Sequence, residues 1–312
     1  MSRRIWVAGH RGMVGSALMR RLARENVELL TVSRDALDLR DQSAVRAWLA
    51  RAAPDAIILA AAKVGGILAN ASFPADFLVD NLLIATNVIE AAHRANVERL
   101  VYIGSSAIYP RLAAQPMRED ALLTGPLEPT HEWYAIAKIA GVKMCEAYRR
   151  QHGRRYIAAL PCNLYGVNDH FDPATSHVLP ALIRKFHEAK QTGAGEVVIW
   201  GSGTPRREFL YVDDFADAIL FLLDRYDEEG PINVGAGADL TIRELAGTIG
   251  KATGFAGALV FDATKPDGPP RKLMDSGRLN ALGWRPKTGL EEGIAEVYRW
   301  FLREGAGEPA AS

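Results

Sequence analysis

Short apolar runs alternate with longer stretches in which apolar residues recur every three or four positions. The runs at 5–8, 28–32, 56–61, 100–104 and 156–160 are of strand length, and they predict strands. The stretches at 14–24, 42–51, 74–95 and 134–152 carry the helical period and predict helices. Strand and helix in strict alternation point to an α/β fold, a doubly wound parallel sheet with helices on both faces. After Asn163 the rhythm breaks. A polar, turn-rich segment at 166–176 precedes a predicted helix at 178–190 and a strand at 196–200. A strand and helix within 207–224 could rejoin the first domain. Between 240 and 301 the pattern predicts two helices, a short strand and a Pro/Gly-rich loop at 265–270. The division expected from this is a sheet domain at 1–165, joined again by about 207–235. A smaller, discontinuous α/β substrate domain takes 166–206 and 236–304, and 305–312 is a tail.

Composition narrows the class. Across 312 residues, Lys+Arg 37 and Asp+Glu 37 cancel, which disfavours a nucleic-acid binder with its usual basic excess. No run approaches the ~18 apolar residues of a membrane helix, and the first residues lack the apolar core of a signal peptide. The two cysteines, Cys145 and Cys162, have no metal-ligand spacing. The expectation is a reduced, cytoplasmic protein with no metal.

The first strand runs into Gly9-His10-Arg11-Gly12-Met13-Val14-Gly15, and a helix follows. Glycines at such a turn let backbone approach a pyrophosphate seated at the helix N-terminus. Strand before and helix after make this the dinucleotide turn of a Rossmann-type sheet. The second strand ends Leu30-Thr31-Val32-Ser33-Arg34, without the tip carboxylate that would hold a ribose 2′-hydroxyl. Arg34 and Arg11 could together hold a 2′-phosphate, so NADP(H) is the expected cofactor. Asp38 and Leu39, a little further on, join this expected cofactor set.

Tyr134 and Lys138 share one helix face a turn apart. Ser105 follows the strand at 100–104, at the carboxyl edge where such sheets do their chemistry. Ketone reduction needs a proton donor at the oxygen, and a tyrosine serves when a nearby cation stabilises its phenolate. Lys138 supplies that cation and Ser105 a hydrogen bond to the developing alkoxide. All three roles are thus present.

With these residues in place, the chain resembles the GDP-L-fucose synthase family of the extended short-chain dehydrogenases. The matching strings include Gly9 to Ser16, Ala60-Ala61-Ala62-Lys63-Val64-Gly65-Gly66-Ile67 and Leu127-Glu128-Pro129-Thr130 running into Tyr134-Ala135-Ile136-Ala137-Lys138. Asn163-Leu164-Tyr165-Gly166, Ser176-His177-Val178, Trp200 to Pro205 and Lys265-Pro266-Asp267-Gly268 match too. The resemblance implies inversion of C3 and C5 of a GDP-4-keto-6-deoxy-hexose, followed by NADPH reduction at C4. It implies Asn163, Leu164 and His177 at the cofactor, with His177 also as an acid. It places Lys185, Trp200, Arg207 and Asp267 in the nucleotide-sugar pocket, and it makes 74–95 and 134–152 the helices of a homodimer. One position departs. The family reads Ser-Ser-Cys-Ile-Tyr-Pro where this chain reads Ser105-Ser106-Ala107-Ile108-Tyr109-Pro110, and alanine cannot move a proton. Three explanations stand: a residue engineered to trap an intermediate, a reductase with weak or absent epimerase activity, or another group in its place. The competing readings are a nucleotide-sugar 4-epimerase or dehydratase and, from a different class, an inactive NADP-binding regulatory protein.

Overall fold

The computed structural model describes residues 2–172, 175–265 and 267–305. The chain runs β1 (Arg3–Ala8), α1 (Met13–Leu22), β2 (Val27–Leu30), α2 (Gln42–Ala52), β3 (Ala56–Leu59), α3 (Ile67–Ser72), α4 (Pro74–Arg94), β4 (Arg99–Ile103), α5 (Glu132–His152) and β5 (Arg155–Pro161). There follow β6 (Asn163–Tyr165), α6 (Val178–Thr192), β7 (Glu196–Trp200), β8 (Arg206–Tyr211), α7 (Val212–Arg225), β9 (Ile232–Val234), β10 (Asp239–Thr241), α8 (Ile242–Thr253), β11 (Ala258–Asp262), β12 (Arg271–Lys272), α9 (Gly277–Ala281) and α10 (Leu290–Trp300).

Six parallel strands form the main sheet in the order β2-β1-β3-β4-β5-β9. Its inner strands are buried almost throughout, the first residues of β4 and β5 excepted, as parallel strands covered on both faces must be. The order reverses between β1 and β3, and a crevice opens at their carboxyl ends. This is the expected doubly wound fold.

Two hydrophobic clusters divide the molecule. The larger fills the main sheet and its helices, and it includes Trp6, Ile57, Val101 and Leu160. The smaller gathers Tyr165, Phe186, Phe209, Ile249 and Val297 from β6, α6, β8, α8 and α10. The chain passes from the first to the second after β5 and returns through α7 and β9. β8 pairs with β6, β10 and β12 in a separate small sheet and does not enter the main one. β9 enters instead, beside β5, and α7 seats on α1, where Arg20 bonds Asp213 and Arg21 reaches Asp217 at 2.8 Å. From 239 on, the described residues include three α-helices and three strands, more than the periodicity indicated. Residues 306–312 of the expected tail lie outside the described residues, as does Pro266 of the 265–270 loop. Among the described residues no helix is long and apolar enough to cross a membrane.

Candidate active site

The dinucleotide cradle is built by glycine. Gly9 closes β1 with φ +88, and a Cβ there would stand 2.6 Å from the Ala61 nitrogen. At Gly15 a Cβ would fall 2.0 Å from the Gly9 carbonyl oxygen. A side chain at Gly9 would collide with the backbone leaving β3, and one at Gly15 would push α1 off the turn. Gly12 caps α1 without a side-chain bond, and the first turn, starting Met13-Val14, has no acidic residue. The free amides and the positive end of the helix dipole therefore point into the crevice, where an anionic pyrophosphate fits.

Arg11 and Arg34 are both exposed at this edge. Asp38 is already claimed: Arg40 bonds its carboxylate at 2.7 Å, and that bond, with weaker help from Arg34, holds it down to about 2. The carbonyl of Leu39 accepts from Asn87 at 3.0 Å, fixing the same loop to α4. The rim therefore carries a cation at Arg34 and a carboxylate neutralised in place, a lining that suits a 2′-phosphate.

Ser105, Tyr134 and Lys138 come together across β4 and α5. The Ser105 Oγ accepts from the Ala107 amide at 3.1 Å and stands close enough to the Tyr134 phenol to lower its pKa. Tyr109 clips the loop to β9 through Asn233, 2.6 Å away. Lys138 is 4% exposed. Its ammonium donates to the Ile103 carbonyl at 2.8 Å and lies 5.7 Å from the Tyr134 ring centre. Burial pushes the phenol up to about 12 against a weaker pull from Ser105, and burial draws the lysine down to about 7. A phenol that holds its proton, beside an ammonium ready to stabilise its loss, can protonate a carbonyl oxygen that receives a hydride.

His177 caps α6. By surface area the residue is exposed, yet its ring lies deep enough among neighbouring atoms for desolvation, and then His170, to lower its pKa. The segment ahead of it is tied to the loop leaving β3, where the Gly66 amide donates to the Thr175 carbonyl at 2.9 Å. Ala107 lies half-buried in the short turn Ser106–Ile108. Neither thiol is suited to replace a cysteine there: Cys145 and Cys162 are both buried, and burial pushes each away from the thiolate. Asn163 and Leu164 lie in β6 beside β8, and the Asn163 side chain donates to the Glu208 carbonyl at 2.8 Å.

The expected substrate residues fall into two pairs. Trp200 is 66% exposed, and the Lys185 ammonium sits 6.0 Å from its ring centre while donating to the Val198 carbonyl at 2.6 Å. Arg207 donates to the carbonyls of Arg206 and Pro269, and Asp267 acts on it electrostatically. Asp267 also accepts from the Ser202 amide and hydroxyl at 3.0 and 2.7 Å, closing the turn after Trp200. Sequence reasoning missed Lys265, whose ammonium lies 5.5 Å from the Trp200 ring centre. It also missed Lys272, brought opposite Arg207 by the register of β12 on β8. Lys265 stood in a quoted loop string and could have been found; strand register between distant segments leaves no such trace.

Sheet order, glycine cradle and the Ser-Tyr-Lys cluster define a dinucleotide-dependent oxidoreductase class. Residues 5–235 match the model of the NAD dependent epimerase/dehydratase family. A GDP-L-fucose synthase of Sinorhizobium fredii is 57% identical over 300 residues, covering 96% of each chain. A GDP-6-OMe-4-keto-L-xylo-heptose reductase from C. jejuni superposes with TM-score 0.90 at 36% identity, over 97% of this chain and 98% of that one. A GDP-L-fucose synthetase from Naegleria fowleri bound to NADP gives TM-score 0.89 at 28% identity, over 97% and 95%. The chain belongs to the NAD dependent epimerase/dehydratase family and, within it, to the family of the GDP-L-fucose synthases.

Proposed function

We propose that this chain reduces the C4 ketone of a GDP-4-keto-6-deoxy-hexose with NADPH, and that it lacks most of the 3,5-epimerase half of the GDP-L-fucose synthase reaction. The observation that carries the reading is Tyr134, with a buried Lys138 and with Ser105 beside it at the carboxyl edge of the sheet. Bound NADPH supplies the hydride. Tyr134 gives its proton to the C4 oxygen, Lys138 stabilises the phenolate left behind, and Ser105 steadies the oxygen as charge gathers on it. Gly9, Gly12 and Gly15 with the start of α1 would hold the pyrophosphate, Arg11 and Arg34 the 2′-phosphate, and Asp38 and Leu39 the adjoining wall. Asn163, Leu164 and His177 would border the nicotinamide.

Epimerisation needs a base and an acid on opposite faces of the sugar. His177 is the acid; Ala107 leaves the other face without a proton carrier. Relatives named as reductases, among them the C. jejuni heptose enzyme, favour a reductive role. Lys185, Trp200, Arg207 and Asp267 would take the GDP moiety. The apolar faces of α4 and α5 would pair two copies of the chain, and the two isolated, buried thiols suit a reducing cytoplasm. The test is NADPH oxidation with GDP-4-keto-6-deoxy-mannose, followed at the cofactor's absorbance band. Absence of turnover, with cofactor binding intact, would leave an NADP-binding protein without this activity.

A further inference from the structure

His131 closes the turn Pro129–His131 and is the last residue before α5, three positions ahead of Tyr134. The residue that caps a helix and the third residue inside it lie on one side of the first turn, so the imidazole and the catalytic phenol share that side. The ring is half-buried. Its Nδ1 lies 3.2 Å from the Thr130 hydroxyl, and that hydroxyl lies 3.5 Å from a Glu128 carboxylate oxygen. Its Nε2 is enclosed and, among the described residues, has no hydrogen-bond partner. An enclosed nitrogen left unpaired is costly and rare. Beside a reaction centre it points to a group that arrives with the substrate.

Charge and place define that group. Burial first, and then Lys272, lower His131 to about 4, so the ring is neutral at working pH. It offers a hydrogen bond, not a cation for a phosphate or an acid for a carbon. Lys272 of β12 lies in register with Arg207 of β8, and Arg207 belongs to the end of the pocket assigned above to the GDP moiety. His131 therefore stands between the nucleotide end of the cleft and Tyr134, the span that the hexose has to bridge. A 4-keto-6-deoxy-hexose carries its diphosphate at C1, its ketone at C4, the ring oxygen at C5 and a methyl at C6. Free hydroxyls are left at C2 and C3 only.

We infer that His131 is a specificity-determining residue of the sugar site, its Nε2 hydrogen-bonded to the C2 or C3 hydroxyl of the hexose. The assignment rests on the GDP-sugar reading above and adds to it the residue that tells a hydroxylated ring from a deoxy one. Glu128 orients the imidazole through Thr130. A hydroxyl that donates to the carboxylate accepts from the Nδ1–H, and Nε2 then presents its lone pair to the sugar. A sugar without that hydroxyl buries the bare nitrogen again, and this is what makes such a site discriminate.

Steady-state kinetics on the full chain provide the test, with NADPH and GDP-4-keto-6-deoxy-mannose as substrates and GDP as a competing inhibitor. His131→Leu should raise the KM for the ketosugar at least about tenfold, and change the GDP inhibition constant and the KM for NADPH less than about twofold. His131→Gln, whose amide reaches the place of Nε2, should recover part of the loss. The nitrogen removed is unpaired, so His131→Leu should melt no lower than wild type, whereas loss of a packing histidine would lower the melting temperature. Of the 2-deoxy and 3-deoxy ketosugars, one should bind wild type and His131→Leu alike. The KM ratio of variant to wild type should be equal at pH 6 and pH 7, since the ring is neutral at both. The charged groups facing it are Lys272, lowered to about 8 and still a cation at both, and Glu128 with its partner Arg111. Glu132 and Tyr134 follow on α5, and α3, packed on the turn, has no titratable side chain. An unchanged KM in His131→Leu, a loss shared by GDP or NADPH, a lower melting temperature, a ratio that moves with pH, or two deoxy sugars that both still discriminate overturns the assignment and leaves the GDP-sugar reading in place. A wild-type chain that neither reduces the ketosugar nor binds GDP overturns that reading, and the assignment with it.

Discussion

Ala107 puts a methyl group on the loop that positions Ser105. If that methyl is what silences epimerisation, wild type in deuterated water should yield a reduced product with little label at C3 and C5. Ala107→Cys should incorporate deuterium at both carbons, read by mass spectrometry. A variant that gains no label shows that position 107 does not carry the missing proton. Tyr134→Phe should lower turnover by roughly 10²–10⁴, with NADPH affinity unchanged. Lys138 predicts a pH effect of definite sign. Its folded value is lowered to about 7, so the stabilising cation is present below that pH and lost above it. The kcat/KM for ketone reduction should fall as pH rises beyond about 7, and Lys138→Arg, charged throughout, should flatten that limb. A profile unchanged in Lys138→Arg removes the lysine from that titration. At this scale the sequence was informative wherever a role rests on neighbours along one helix or beside one strand end. Tyr134, Lys138 and Ser105 are of that kind. Lys272 was not legible, because its partner lies 65 residues away by the difference of their numbers and meets it only through strand register.

The β1-turn-α1 element depends on close approach. Adding a Cβ at Gly15 drives it into the Gly9 carbonyl, so Gly15→Ala should cost about 1–3 kcal/mol of stability and also weaken NADPH binding, measured by melting temperature and cofactor titration. A variant that melts like wild type and binds NADPH normally would mean that the turn relaxes freely. The strand-helix alternation up to β5 was plain from the apolar runs, since strands buried on both faces have to be apolar throughout. α5 starts two residues earlier than its apolar period indicated, with Glu132 in the first turn where a carboxylate favours the helix dipole. The sheet that β8 joins was not legible in the sequence. The strand's buried residues Phe209, Leu210 and Tyr211 read like another strand of the main sheet, and apolar content does not encode which sheet a strand joins.

For the whole molecule, α4 and α5 pack side by side and leave Val79, Leu83, Trp133 and Ile136 exposed. Apolar residues gathered on two adjacent helices mark a surface to be covered. Leu83→Glu with Ile136→Glu should yield monomers by light scattering, with circular dichroism unchanged, while wild type runs as a dimer. A monomeric wild type removes the homodimer from the proposal.

The repeated crossing of the chain between its two hydrophobic clusters limits how such a protein can be divided. A fragment ending near Gly166 would lack β9, leaving β5 as a raw edge, and would lack α7, uncovering the outer side of α1. The remaining piece would carry those orphaned parts with no sheet to receive them. Neither half is a transferable module, so specificity in this architecture has to be altered through the loops and edge residues of the cleft, with both units inherited and folded as one.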